Sequence, residues 1–152
     1  VTWEDSNDIF TWRNDLASRK MSINVGTILP VEHSHWFAEM LNNDSHIGII
    51  GELNNEKIGV VFMKMHEGTS KVSINLNPLH RGKRLSGILL RTSILKMQKL
   101  FPKLQQFTAE IKDTNIASIK IFAQNGFNMH IKKDGSSIYR FKSGSLGVTR
   151  DD

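Results

Sequence analysis

Residues 72–87 read VSINLNPLHRGKRLSG and join a predicted strand to a predicted helix through a basic, glycine-containing turn. Apolar and polar residues alternate over 71–77, which indicates the strand. Beyond the turn, apolar residues recur at spacings of three and four as far as Leu100, which indicates a helix with one buried face. The first amides of a helix have no partners within it, and the helix dipole favours an anion there. The stretch therefore predicts a phosphate or pyrophosphate bound at residues 81–87.

The composition of the turn supports this prediction. Gly82 and Gly87 allow the backbone to approach a ligand closely, and Arg81, Lys83 and Arg84 add positive charge. The turn has neither the spacing of a Walker A loop nor the glycine triplet of a dinucleotide-binding loop, which argues against both of those sites. A basic loop whose glycines serve only a tight turn is the alternative interpretation.

The rest of the chain predicts a mixed α/β domain with one central sheet. In the first helix, Ile9, Trp12 and Leu16 are spaced to share one face. Asn54-Asn55 and Asp134-Gly135 are turn dipeptides that predict two hairpins. The predicted helices cover 5–19, 31–41 and 113–125, and the other predicted strands cover 46–53, 57–65, 105–111, 128–132 and 137–141.

Composition and charge restrict the class of protein. A chain of 152 residues, 39% hydrophobic and 23% charged, can bury a core, which argues against wholesale disorder. The lack of cysteine excludes disulfides, thiolate zinc sites and a cysteine nucleophile, and the scattered histidines show no ligand spacing, so no metal is predicted. No membrane-spanning run or signal peptide is visible, so a cytoplasmic protein is expected. The formal charge of +5 favours anionic partners.

Residues 74–87 resemble motif A of the GNAT acetyltransferases, in which Gln or Arg is followed after two residues by Gly, and two further on by Gly or Ala. Arg81 matches the first position, whereas Arg84 stands where Gly is usual and Ser86 where Gly or Ala is usual. The resemblance implies that the loop amides hold the pyrophosphate of acetyl-CoA and that the preceding strand pairs with pantetheine. The cofactor-binding residues implied here are Leu76, Asn77, Arg81, Gly82, Lys83, Arg84, Leu85, Ser86 and Gly87.

Residues 109–127 resemble motif B of the same superfamily and end in its typical Gly-Phe pair. Asn115 and Ser118 match positions that contact the CoA arm. Phe122 also falls in the cofactor-binding set that the resemblance implies. Because many members carry Tyr at that position, Phe122 excludes a tyrosine acid from this helix.

Two N-terminal stretches resemble the branch that contains N-acetyltransferases of amino-sugar nucleotides: 12–15, which reads WRND, and 32–37, which reads EHSHWF. An arginine there would suit a nucleotide diphosphate and an aromatic ring could stack on a base or sugar. Core anchoring is the alternative for Trp12 and Trp36. The acceptor-binding residues implied are Trp12, Arg13, Asn14, His33 and Trp36.

The resemblance spans about residues 2–142 and implies one GNAT domain over 1–143. Its fold would be a central mixed, mostly antiparallel sheet flanked by helices, with the usual first strand truncated or missing before Val1. A flexible C-terminal tail is expected over 144–152.

Acetyl transfer needs a polarised thioester carbonyl and a neutral amine. A backbone amide on the 74–77 strand, at a local splay or bulge, is the expected polarising group, and Leu76 is the predicted donor. Ser73 and Asn75 could hold a water that relays the proton.

Glu110 is the predicted base, because it lies five residues before Asn115 on the strand expected beside the cofactor. The resemblance also places a base-forming Glu there, although a Glu satisfied by a structural partner or by solvent is the alternative. His33 is a further candidate, since an ordinary histidine titrates near neutral pH. Tyr139 is the only tyrosine, and no direct role is predicted for it.

The expected activity is direct transfer of an acetyl group from acetyl-CoA, in a ternary complex, to a primary amine of a small molecule. An amino-sugar nucleotide is the first choice of acceptor. Acetylation of a protein N-terminus or lysine is an alternative, as is a non-catalytic CoA-binding regulatory domain, which the departures at Arg84 and Phe122 suggest. Nucleic acid is not expected as a partner, because the basic residues are not interleaved with aromatics. No membrane partner is expected, and a homodimer is compatible with the sequence.

Overall fold

The computed structural model describes residues 1–143, and the tail predicted at 144–152 lies outside the described residues. The helices are α1 (Ser6–Asn14), α2 (Leu16–Met21), α3 (Pro30–Leu41), α4 (Leu85–Leu100) and α5 (Ile116–Gln124). The strands are β1 (His46–Leu53), β2 (Glu56–His66), β3 (Thr69–Leu76), β4 (Gln106–Lys112), β5 (Asn128–Lys132) and β6 (Ser136–Lys142). Short 3-10 helices cover Trp3–Asp5 and Pro78–His80.

The strands form one sheet in the order β1-β2-β3-β4-β6-β5. Every neighbouring pair is antiparallel except β3 and β4, which are parallel. The predicted central sheet, mixed and mostly antiparallel with flanking helices, is confirmed.

Hydrophobic clusters pack on both faces of the sheet. Neighbouring residues of β2 alternate between the two clusters, which places the clusters on opposite faces. The cluster beneath α4 and α5 includes Leu90, Ile94, Met97, Phe107, Phe127 and Phe141. The cluster beneath α1 and α3 consists of Ile9, Trp12, Phe37, Met40, Val60 and Phe62. The buried face predicted for the helix that ends at Leu100 is therefore confirmed.

Both predicted hairpins are present. Asn54 and Asn55 have φ values of 52° and 64°, the left-handed conformation that the two central residues of a tight hairpin turn adopt. The second hairpin joins β5 to β6 and contains Gly135 at φ 79°. Gly126 follows α5 at φ 87°, which ends that helix as a C-terminal glycine does.

The helix predicted over 5–19 is two helices. Asp15 has φ −56° and ψ 134°, which breaks the helical path, and its carboxylate accepts from the amide of Ser18 at 3.1 Å. Asp15 is thus the N-cap of α2. The side chain of Leu16 is 57% exposed, so the prediction that it shares the buried face of Ile9 and Trp12 is wrong.

Two other helix boundaries differ from the prediction. The helix predicted after the basic turn begins at Leu85, before Gly87, and α5 begins at Ile116 because Asn115 caps it. Within residues 1–143 no helix is long and apolar enough to cross a membrane.

Candidate functional site

The sheet opens in the middle, between its two parallel strands. β3 and β4 pair only through Thr69–Lys71 and Gln106–Thr108, and both strands continue beyond that point without pairing. Backbone groups along the two diverging segments therefore have no partner across the gap. A strand-like or elongated ligand could pair with them.

The orientation of β3 decides which of its amides face this opening. The amide of Asn77 donates to the carbonyl of Ile58 at 2.8 Å, so Asn77 points toward β2. Successive residues of a strand point their amides to alternate sides. The amides of Val72, Ile74 and Leu76 therefore point toward β4, into the opening. Leu76, the predicted polarising donor, has the required orientation, and so has Ile74.

The loop between β3 and α4 has two residues in the left-handed conformation. Gly82 has φ 73°, and a Cβ built there would meet no atom of residues 1–143 within 4 Å. Arg84 has φ 59° and is the N-cap of α4, without a side-chain cap bond. A non-glycine residue at positive φ costs roughly 1–2 kcal/mol. Arg84 therefore holds a backbone conformation that glycine adopts more readily.

The positive end of α4 is not neutralised by an acidic residue of its own first turn. Its first turn contains no acidic residue, and Lys83 and Arg84 are exposed beside it. The first amides of α4 have no partners within the helix. Together with the loop cations, they make this end of the opening suited to an anion.

Arg81 makes a different contact from the one predicted for it. Its Nη2 donates to Asp15 Oδ2 at 2.5 Å and to Ser18 Oγ at 2.7 Å. The bond from Arg81, with that from the Ser18 amide, holds the pKa of Asp15 below its ordinary value. The side chain of Arg81 therefore ties the loop between β3 and α4 to α2.

We expect Arg81→Gln to lower the free energy of unfolding by about 0.5–1 kcal/mol at neutral pH, as for a partly exposed ion pair. Asp15 has a lowered pKa in the folded state, so its stabilisation is present above the unfolded pKa and is lost as pH falls through the folded one. Urea unfolding of both proteins at a series of pH values should show the difference vanish in acid. Lys83→Gln is the control, and a difference that persists in acid would contradict the ion pair.

Several other predicted cofactor residues have structural contacts. The Asn77 side chain accepts from the Leu79 amide at 3.1 Å and donates to the Lys57 carbonyl at 2.9 Å. Asn115 accepts from the Ser118 amide at 3.2 Å and so caps α5. Phe122 is 2% exposed and packs in the core, so its side chain does not line the opening. Leu85, Ser86 and Gly87 form the first turn of α4.

No protein-family model and no curated protein sequence matches this chain. Solved structures resemble it over nearly the whole length. The aminoglycoside acetyltransferase AAC(6')-Ib, in complex with ribostamycin and coenzyme A, superposes at a TM-score of 0.81 and 18% identity, covering 100% of this chain and 96% of that one. N-acetyltransferase PseH from Campylobacter jejuni, in complex with acetyl coenzyme A, gives 0.71 at 16% identity, with 95% and 94% covered. A ribosomal-protein-alanine N-acetyltransferase from Brucella melitensis gives 0.74 at 19% identity, with 93% and 96% covered.

The chain has the GNAT fold. The strand, turn and helix predicted from residues 72–87 are β3, the loop over 77–84 and α4. They lie at the central opening of the sheet.

Glu110 lies across the GNAT opening from β3. It is two residues beyond Thr108, as Ser73 is beyond Lys71, so Glu110 and Ser73 lie at the same level of the gap. Its Oε1 accepts from Ser136 Oγ at 2.8 Å and from Lys133 Nζ at 3.3 Å. The hydrogen bond from Ser136 lowers the pKa of Glu110, burial raises it, and Lys133 lowers it further, so the pKa lies below its ordinary value. Glu110 is thus ionised at neutral pH.

The structure adds residues that the sequence did not single out. On β3, Ser73 is level with Glu110, and Ile74 is the next residue along the strand. Leu76 lies three residues beyond Ser73, which is about 10 Å along the strand. Ser136 and Lys133 come from the last hairpin and hold the Glu110 carboxylate. The alternation of β3 could have drawn attention to Ile74, but no local signal pairs Glu110 with Ser136.

The candidate water-holding residue Asn75 lies on the same side of the sheet as α2. Its Oδ1 accepts from Ser18 Oγ at 3.4 Å. Tyr139 is buried in the cluster beneath α4 and α5, on the other face, and has no access to this side. Among the described residues no group of three or more His, Asp or Glu side chains could hold a metal ion.

The five predicted acceptor residues divide into two sets. Trp12 is 4% exposed in the core, and Asn14 holds the backbone of Ile28 through two bonds of 2.8 Å. His33 is 3% exposed, its Nε2 contacts Ser6, and burial together with the charge of Arg13 lowers its pKa. These three side chains hold the helices in place, which removes His33 as a base in the opening.

Arg13 and Trp36 form the second set. The Arg13 guanidinium lies 4.2 Å from the centre of the Trp36 ring, in cation–π contact. Its Nη1 is buried and has no hydrogen-bond partner among residues 1–143. The Trp36 and Phe62 rings meet edge to face, with ring centres 5.1 Å apart, so Trp36 packs against β2. Arg13 and Trp36 therefore form a stacked pair on the side of the sheet that α1 and α3 cover.

Proposed function

We propose that this protein is an acetyl-CoA-dependent N-acetyltransferase that moves an acetyl group directly to a primary amine of a small molecule. The observation that supports this most strongly is the opening between β3 and β4, which has unpaired amides along one edge, an ionised carboxylate on the other and an anion-binding helix terminus at its end. An amino-sugar nucleotide is the proposed acceptor class.

The residues around the opening fit the cofactor. Acetyl-CoA would supply an acetyl thioester, with a pantetheine arm that can pair like a strand and a pyrophosphate. The open space at Gly82, the left-handed backbone at Arg84 and the free amides of α4 would hold the pyrophosphate. The amides of β3 that face the gap would pair with the arm.

Each chemical requirement has a candidate group in the chain. The amide of Ile74 or Leu76 would donate to the carbonyl oxygen that becomes negative in the transition state. Glu110 would accept the proton of the attacking amine, directly or through a water held near Ser73 and Asn75. No tyrosine of residues 1–143 lies at the gap, so protonation of the leaving thiolate is left to water.

The choice of acceptor rests on the resemblance of 12–15 and 32–37 to amino-sugar-nucleotide acetyltransferases, to which the stacked pair of Arg13 and Trp36 belongs. The neighbour AAC(6')-Ib, which is solved with an aminoglycoside and coenzyme A together, supports a small-molecule amine.

Thermal unfolding with and without acetyl-CoA, followed by a thiol-release assay over a panel of amines, tests this function. The panel holds amino-sugar nucleotides, aminoglycosides and peptides. Ligand at about 100 times its dissociation constant should add roughly 2.7 kcal/mol to the free energy of unfolding. Stabilisation with thiol release would support the enzyme and identify its acceptor class. Stabilisation without release on any amine would favour a CoA-binding regulatory domain, and no stabilisation at saturation would refute the proposal.

A further inference from the structure

On the Glu110 side of the sheet, the buried hydrophobic cluster includes residues of β2 but none of β4, β6 or β5. Along β4 and β6 the residues that face α4 and α5 are buried, whereas Thr108, Glu110 and Arg140 on the opposite side are at least partly exposed. We call this side of β4, β6 and β5 the open face. An acceptor that reaches Glu110 from the side of α2 would lie against it.

The charge of the open face is strongly asymmetric. Glu110 is the only carboxylate among the described strand residues that face this side from β3 to β5. Lys112 and Arg140 are cations of the open face, and Lys71 of β3 lies on the same side of the sheet beside it. A polycationic amine would be repelled here, whereas an amine that bears a negative group would be attracted.

Arg140 is placed where the two parallel strands begin to separate. Lys71 pairs with Thr108 on β4, Thr108 pairs with Arg140 on β6, and Arg140 pairs with Asn128 on β5. These four side chains form one row across the sheet. Arg140 is one strand across and two residues back from Glu110, a separation of about 8 Å between the two backbone positions. One sugar ring with its first phosphate can span this separation.

A cavity of about 340 Å³ adjoins Arg140 at the outer edge of the sheet. It is lined by Gly126, Asn128, Met129, His130, Arg140 and Lys142. Arg140 Nη1 donates to His130 Nε2 at 3.4 Å, and no carboxylate of residues 1–143 forms an ion pair with either side chain. The bulge of β5 between Met129 and Ile131 contains His130 and explains why it reaches this side.

We propose that the cavity at His130 and Arg140 binds the phosphate or diphosphate group of the acceptor while its amine lies at Glu110. This inference rests on the proposed acetyltransferase function and assigns the acceptor as an anionic amine. The phosphate site lies on the β6 side rather than at Arg13, because Arg13 is stacked on Trp36 with its Nη1 buried. Arg140 presents a fork of donors that suits phosphate oxygens.

Calorimetric titration of inorganic pyrophosphate into the protein saturated with CoA tests the site, because CoA then occupies the loop at α4. We expect wild type to bind pyrophosphate and Arg140→Gln to bind it at least about tenfold more weakly, since charge-assisted bonds to the phosphate are lost. His130→Gln should weaken binding less. Arg91→Gln, the same change at an exposed arginine of α4, should bind as wild type, and thermal unfolding confirms that each variant is folded.

A second measurement separates an acceptor site from a general phosphate site. UDP should inhibit acetylation competitively with the amine and not with acetyl-CoA, and Arg140→Gln should raise its inhibition constant at least about tenfold. Inhibition by UDP that is competitive only with acetyl-CoA, or equal inhibition of wild type and Arg140→Gln, would overturn the inference. So would the lack of pyrophosphate binding by wild type. If CoA itself does not bind, the proposed function fails, and pyrophosphate titration of Gly82→Trp still tests the cavity.

Discussion

Replacing Gly82 by tryptophan is expected to lower the affinity for acetyl-CoA by at least about 100-fold while the protein stays folded, because the indole fills the space above the first amides of α4. Gly82 lies in the loop between β3 and α4 at φ 73°, and no atom of residues 1–143 lies within 4 Å of a Cβ built there, so the ring need not disturb the core. Calorimetric titration of acetyl-CoA measures the affinity directly. Unchanged affinity in the folded variant would show that the pyrophosphate of acetyl-CoA does not bind at the loop that contains Gly82.

Gly135→Trp is the matched control for this change. Gly135 also has positive φ, at 79°, and a Cβ built there would likewise meet no atom in the described part of the chain within 4 Å, but it lies in the hairpin between β5 and β6. Both substitutions should destabilise by roughly 1–2 kcal/mol through left-handed strain. Only the change at Gly82 should lower the affinity for acetyl-CoA. Equal losses of affinity in the two variants would point to strain and not to a blocked site.

The parts of the fold that are encoded locally could be predicted from the sequence. The alternation of apolar and polar residues predicts β3, the spacing of apolar residues by three and four predicts α4, and turn dipeptides predict both hairpins. Each of these signals acts within a few residues. The break at Asp15 was missed because apolar spacing continues through it to Leu16. The signal that could have revealed it is the Asp15-to-Ser18 spacing, which suits an N-cap.

The candidate site could be predicted only in part, because its geometry depends on how distant strands pair. The basic loop and its helix are contiguous, so their sequence indicated an anion site. The opening exists because β3 and β4 pair through three residues only, and no local pattern specifies where that pairing stops. The contact of Arg81 with Asp15 spans 66 residues, and the row from Lys71 to Arg140 spans three strands. These contacts between residues far apart in the sequence could therefore not be predicted from local patterns.

Substitution of Glu110 by glutamine is expected to lower kcat by roughly 10²–10⁴-fold, the range for loss of a general base, with little change in acetyl-CoA affinity. Glutamine keeps an oxygen that can accept from Ser136, so the local structure should persist, but it cannot take a proton. The lost contact with Lys133 is an exposed ion pair and should cost little stability. Steady-state thiol release with titration of acetyl-CoA separates the two parameters.

Glu39→Gln serves as the control for Glu110→Gln, because Glu39 also has a cationic partner when His35 is protonated, but it lies on the exposed side of α3.

A second change tests whether the Glu110 carboxylate acts through its ionised form. Ser136→Ala removes the strongest cause of the lowered pKa of Glu110, so that pKa should rise toward its ordinary value. If Glu110 must be ionised for turnover, the acid limb of kcat/KM should then move to higher pH. Wild-type turnover in Glu110→Gln would remove Glu110 as the base and leave the proton to a water near Ser73 and Asn75.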